Sequence, residues 1–166
     1  MCAKAAFAHL EPNFGTVLRA PRNLDARAAM QIGSHLAGMA IESAMLGICH
    51  SCANPLTAHY GITHGVAIGA LLPHVVRFNA AVAEPLYDEL VASARMPNGQ
   101  PASEILAARV AELCAAAGLP GTLRECGVSE TILPLLAEEA NAQWTARFNP
   151  RPVTETDLLA VYRAAW

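Results

Sequence analysis

Apolar positions along the chain recur every three or four residues and almost nowhere every two. That spacing marks one face of a helix, so the chain reads as helical nearly throughout. The run CAKAAFAHLE predicts a short first helix closed by Pro12. Asn23 is the N-cap of a predicted long helix over residues 23–51, which Pro55 stops. That helix is rich in glycine, alanine and serine, which cost helix propensity unless neighbouring helices approach closely. PLTAHYGIT reads as a loop. A second apolar helix starts near His64 and bends at Pro73, where proline breaks the hydrogen-bond ladder. Residues 80–95 predict a further helix, and MPNGQPAS a loop. SEILAARVAELCAAAG predicts a helix ended by Gly118 and Pro120. Ser129 caps ETILPLLAEEANAQW, NPRP is a turn, and Thr154 with Asp157 resembles a capping box for a last helix reaching Trp166. The expected fold class is an all-α helical bundle, with residues 1–166 forming a single helical domain.

Composition adds a surface. Of the 166 residues, 54% are hydrophobic and only 15% charged, more apolar than a typical globular chain. Such a chain is expected to cover part of its surface with a partner, and so not to be a monomer. The net charge of −3 and the lack of a basic patch exclude nucleic acid as the expected partner. Five cysteines, an odd number without a regular framework, read as reduced thiols in the cytoplasm. The N-terminal MCAKAAFAHLEPNF is not a signal peptide. LAGMAIESAMLGIC and GVAIGALLPHVV read as too short or too interrupted to span a membrane.

The chemistry concentrates between residues 49 and 79, which hold four of the six histidines. His50 is expected at the end of the long helix and His64 at the start of the next. Pro55 and Gly61 let the chain turn back between them, so the two imidazoles could meet across the bend. Two histidines do not complete a metal site, which usually takes three or more protein ligands. Hydrogen-bonded core or surface histidines remain the alternative. Cys49 and Cys52 form a C-x-x-C without a second pair or a βαβ setting, so they read as packing residues before they read as a zinc knuckle or a redox pair. His59 and His74 are weaker candidates. His35 reads as core or interface, and His9 as solvent-exposed.

The run from Gly47 to Asn79 resembles the signature of the iron-dependent (group III) alcohol dehydrogenases. It has His50 after a small-residue helix, THG at residues 63–65, LLPH at 71–74, then Phe78 and Asn79. LDARAAMQIGSHLAGMAIESAMLG, AGLPGTLRECGV and NPRPVTETDLLAVYRAAW resemble the family's core helix and closing segments. The resemblance implies the C-terminal helical domain of that family, of dehydroquinate synthase-like fold. It also implies His50 and His64 as ligands of Fe(2+), or of Zn(2+), acting as a Lewis acid on an alcohol or carbonyl oxygen. NAD(P) would carry the hydride.

Three departures qualify it. The family's nucleotide-binding α/β half is absent. The family's other two ligands, an aspartate and a histidine four residues apart, have no counterpart, since no D-x-x-x-H occurs. Many members carry a further histidine near the substrate where this chain has Asn54, which can hydrogen-bond a substrate but cannot act as an acid or base. The chain is therefore expected to be inactive alone. It would act on a small alcohol or aldehyde in the complete enzyme, and form a homo-oligomer or associate with an N-terminal half. The alternative is a non-catalytic helical oligomerisation or interaction protein derived from the same domain. A small cysteine-based redox protein ranks last.

Overall fold

A computed structural model describes residues 1–97 and 99–166. Among them the helices are α1 (Cys2–Arg19), α2 (Leu24–Ala44), α3 (Ile48–Tyr60), α4 (His64–Ser93), α5 (Ala102–Ala116), α6 (Leu133–Ala142) and α7 (Glu155–Ala165). Short 3-10 turns cover Glu130–Ile132 and Trp144–Phe148. No strand occurs among the described residues, so the all-α expectation holds. The loop expected at MPNGQPAS includes Asn98, which lies outside the described residues.

The expected helix over residues 23–51 is two helices. Asn23 caps the first as anticipated, its side chain accepting from the Ala26 amide at 3.0 Å. The chain then breaks at Met45–Gly47, where Met45 takes φ 61°, and α3 leaves at 105° to α2. A Cβ on Gly47 would lie 3.2 Å from the Asn149 side-chain oxygen, so a bare backbone fits this contact best. Gly47 serves the bend rather than helix packing.

Pro12 and Pro55, read as helix stops, misled the reading elsewhere, while Pro73 lies within its helix as read. Pro12, Pro55, Pro73 and Pro85 all lie inside helices. A mid-helix proline deletes one ladder hydrogen bond and can cost about 3 kcal/mol. Here packing outweighs that loss, and Pro55 and Pro73 are buried. Consequently α1 runs on to Arg19, PLTAHY belongs to α3, and residues 80–93 continue α4 rather than forming a separate helix. The segment ETILPLLAEEANAQW is a shorter α6 with a 3-10 turn at either end. The Thr154–Asp157 capping box is present, and Gly118 adopts the left-handed conformation expected of a helix stop.

Two apolar clusters share α4 as their spine. The larger buries Ile48, Leu56, Leu71, Leu123, Leu136 and Tyr162 among α3, α4, α6, α7 and the segment before α6. The smaller joins α4 to α5 through Val76, Val91, Leu106 and Ala107. By length and composition α4 could cross a membrane, contrary to the reading of this segment as too interrupted, but 44% of its most apolar window is buried inside the fold. By contrast α2 packs chiefly along α1.

Side-chain hydrogen bonds pin the C-terminal segments onto α3 and α4. The buried Tyr162 hydroxyl donates to the Cys52 carbonyl at 2.7 Å. Asn79 and Asn149 exchange two amide hydrogen bonds of 3.0 and 2.9 Å, and Asn149 also donates to the Arg151 carbonyl. Asn79 is only 5% exposed, so it cannot exchange this partner for water. Asn149→Ala should therefore lower unfolding free energy by about 2 kcal/mol, the order of an orphaned buried amide. Urea titration should show an earlier midpoint at unchanged slope.

Candidate metal centre

The bend at Met45–Gly47 places His50 in the first turn of α3, not at the end of a long helix. His64 is the first residue of α4. Between them Gly61 ends α3 at φ 63°, a conformation that favours glycine, and the Thr57 hydroxyl donates to the Ile62 carbonyl at 3.0 Å. This short tight connection returns the chain, and the two imidazole rings stand 5.1 Å apart between centroids, tilted by 46°.

His50 is half-buried and His64 exposed. Burial holds the His50 pKa below the usual imidazole range, and the neighbouring His64 lowers it further. Both rings also sit in the first turns of helices. A neutral imidazole is the form that binds a metal, and nitrogen donors suit zinc, iron and nickel. Two donors fill half of a four-ligand shell. Among the described residues no group of three or more His, Cys, Asp or Glu converges on one point. The pair thus fits part of a metal site.

Asn54 lies one turn after His50 on α3 and is exposed. Its side-chain amide donates to the Gln143 side chain at 3.1 Å. One turn of helix inward, the buried Ser51 and Thr145 hydroxyls bond at 2.7 Å. Together these contacts lay the Trp144–Phe148 turn along α3. Trp144 and Phe148 meet edge to face at 5.8 Å and are half exposed. Sequence reading missed Gln143, Thr145 and this aromatic pair. The one local signal was Trp144 standing among polar and small residues, too little to place it opposite α3.

The remaining histidines do not join the pair. His59 binds Glu139 at 2.9 Å. His74 faces a separate recess of about 310 Å³ with Arg77 and Phe78. His35 is exposed rather than core, and His9 is half-buried rather than exposed. Cys49 and Cys52 are buried in the larger cluster. Burial pushes Cys52 up to about 12, with the Tyr162 hydroxyl only partly offsetting it. Burial and the adjacent Cys52 push Cys49 up as well. Such thiols are poor nucleophiles, which removes the requirement of the redox reading.

Comparison with known proteins agrees with the motif reading. The model of the Fe-containing alcohol dehydrogenase family, C-terminal, matches residues 1–166. The chain is 36% identical over 152 residues to 1,3-propanediol dehydrogenase of Klebsiella pneumoniae, covering 87% of this chain and 38% of that protein. It is 35% identical over 146 residues to lactaldehyde reductase of Escherichia coli, covering 86% of this chain and 38% of that protein. The crystal structure of a 1,3-propanediol oxidoreductase superposes with a TM-score of 0.93 at 34% identity, over 99% of this chain and 44% of that one. An alcohol dehydrogenase from Oenococcus oeni gives 0.91 at 27% identity, over 98% and 44%. The chain therefore spans less than half the length of these relatives.

Two measurements follow from the burial pattern. Native protein should expose three thiols to a disulfide reagent, those of Cys2, Cys114 and Cys126, which are only part-buried. Cys49 and Cys52 should react only on unfolding, so five fast-reacting thiols would contradict the fold. The second concerns acid. Burial, then Arg77, lowers the pKa of His74 in the fold. An unfolded histidine takes its proton near ~6.5. Below that value the unfolded chain binds more protons than the native one, so stability falls as pH drops. Above it both forms are neutral and His74 adds no pH dependence. His74→Gln should flatten part of the decline in melting temperature between about pH 7 and 5.

Proposed function

The chain is the C-terminal helical domain of a member of the Fe-containing alcohol dehydrogenase family, and from that premise we propose that His50 and His64 supply two nitrogen ligands to a catalytic divalent ion, Fe(2+) or Zn(2+). The observation that carries this reading is the pair of imidazoles at 5.1 Å, one of them kept neutral by burial. When bound, such an ion supplies Lewis-acid polarisation of a substrate oxygen. The rest of the ligand shell, and the NAD(P) that exchanges the hydride, come from a nucleotide-binding half outside the residues of this chain.

The chain's own residues then have distinct tasks. His50 and His64 present nitrogen donors from two helix starts, and the helix dipoles there favour negative charge on a nearby oxygen. Asn54, one turn from His50, positions a substrate hydroxyl or carbonyl with its amide, while Gln143 holds that amide in place. An amide does not titrate, so Asn54 orients substrate without taking its proton. The substrate class is a small alcohol or aldehyde, in line with relatives named for propanediol and lactaldehyde. Five free cysteines suit a reducing compartment, and we place the enzyme in the cytoplasm.

The half shell makes a specific expectation. Calorimetric titration of the chain alone with Zn(2+) near neutral pH should show weak binding. His50→Ala and His64→Ala should each remove it. NAD(P)-linked oxidation of a small alcohol should need a nucleotide-binding half supplied alongside, and His64→Ala should abolish it. Tight stoichiometric metal on the chain alone, or binding indifferent to both substitutions, would sink the reading.

A further inference from the structure

The turn Trp144–Phe148 borders the candidate centre along its length. It meets α3 at three levels: Gln143 bonds Asn54 at 3.1 Å, Thr145 bonds Ser51 at 2.7 Å, and Asn149 lies against Gly47. The turn therefore runs antiparallel to α3 past the level of His50. Helical rotation puts His50 and Asn54 on one strip of α3, about 40° apart. Ser51 lies about 100° round from His50 on the Asn54 side, so the turn flanks that edge of the strip. Cys49, whose thiol reaches the Ile68 carbonyl of α4, lies about 100° the other way, so α4 and His64 border the opposite edge. Within the turn Thr145 and Ala146 are buried, while Trp144 and Phe148 are half exposed and meet edge to face at 5.8 Å. Phe148 also lines an apolar recess with Ile48 and Cys49, the two residues before His50. Arg147, the turn's one charge, lines a separate recess with Asn141 and Arg151. The two rings thus make an uncharged apolar ledge beside the His50–Asn54 strip.

We propose that Trp144 and Phe148 are specificity-determining residues that take the carbon chain of the substrate, and that they favour an unsubstituted alkyl alcohol or aldehyde over one with a second hydroxyl. The proposal rests on the metal reading above, which sets the reacting oxygen between the histidine pair and the Asn54 amide. From there the carbon chain extends along the strip and onto the ledge. Methylenes laid on aromatic rings leave water at a gain, and one methylene in an apolar site is worth about tenfold or more in kcat/KM. A second hydroxyl on the ledge would give up its hydrogen bonds to water without a replacement, which is costly. The polar groups of the turn are already engaged, Gln143 with Asn54 and the buried Thr145 with Ser51. 1,3-Propanediol, for which one relative is named, is then a poor substrate for this chain's enzyme.

Two measurements test it. The first titrates the chain alone with Ni(2+), following heat and tryptophan emission together. A bound paramagnetic ion quenches an indole close to it, so part of the emission should fall as the ion binds. That part should be missing in Trp144→Phe and in His64→Ala. Binding heat with Trp144 emission unchanged places the ring away from the centre and overturns the proposal. The second compares kcat/KM for 1-butanol and 1,3-propanediol with a nucleotide-binding half supplied. The unaltered chain should prefer 1-butanol at least about tenfold. Trp144→Ala and Phe148→Ala should each cut that preference at least about fivefold, chiefly through the KM for 1-butanol, with a smaller effect on 1,3-propanediol. Circular dichroism checks that each variant is folded. A preference that neither substitution changes, or an equal loss on both substrates, overturns the proposal while His64→Ala still abolishes turnover. Absence of Ni(2+) binding, or turnover that survives His64→Ala, instead sinks the metal reading, and the ledge loses its substrate with it.

Discussion

The three-residue bend at Met45–Gly47 governs what this domain can do. A continuous helix through residue 51 would carry His50 along the α2 axis, away from the bundle. Breaking it by 105° turns α3 into the larger core, where Ile48 and Leu56 are fully buried. The bend is held from outside the helix pair, by the close approach of Asn149 to Gly47 and by the amide exchange that fixes Asn149 to Asn79 on α4. A segment 70 residues away from α4's Asn79 therefore helps set the direction of α3. The first turn of α3 then holds His50, and the glycine-ended connection brings His64 back to it.

Burial around this site acts in two ways. It withholds the charged state from His50, which leaves its nitrogen free to donate. It also silences Cys49 and Cys52 next to it, which are chemically softer donors but lie inside the apolar cluster. The local sequence holds histidine, cysteine and asparagine within a few residues, and helical geometry sorts them. His50 and Asn54 lie on the more accessible side of α3, while Cys49, Cys52 and Ala53 pack inward. The metal-competent groups and the packing groups of one short stretch are separated by rotation about a single helix axis.

Much of this was legible without coordinates. Helical periodicity revealed the fold class, the Asn23 cap and the Thr154–Asp157 capping box rest on local chemistry, and the pairing of His50 with His64 followed from a bend between them. What failed was punctuation. Pro12 and Pro55 were read by their local cost as helix stops, yet a lost hydrogen bond of a few kcal/mol is outweighed when the whole helix face is buried. Gly47 was read as one small residue among many, because its need for a bare backbone arises from Asn149, about a hundred positions along the chain. The Asn54–Gln143 and Ser51–Thr145 contacts are long-range in the same way, and no periodicity encodes them.

The bend has a second consequence, for α2. Turning α3 into the core leaves α2 outside it, supported chiefly by α1. The arm is tied to the bundle through α1, whose Lys4 and Glu11 pair with Glu89 on α4 and Arg109 on α5. Helix α2 keeps Leu24, Ile32, Met39 and Ile41 on its surface, spread around the helix. Its glycines and alanines lower the steric barrier to a neighbouring backbone without adding polar contacts for water. Site and surface are thus two results of one backbone decision. The rotation that assembles the histidines leaves α2 on the outside, and that helix leads directly into the turn that carries His50. The α1–α2 arm and the turn that carries His50 thus meet at Met45–Gly47.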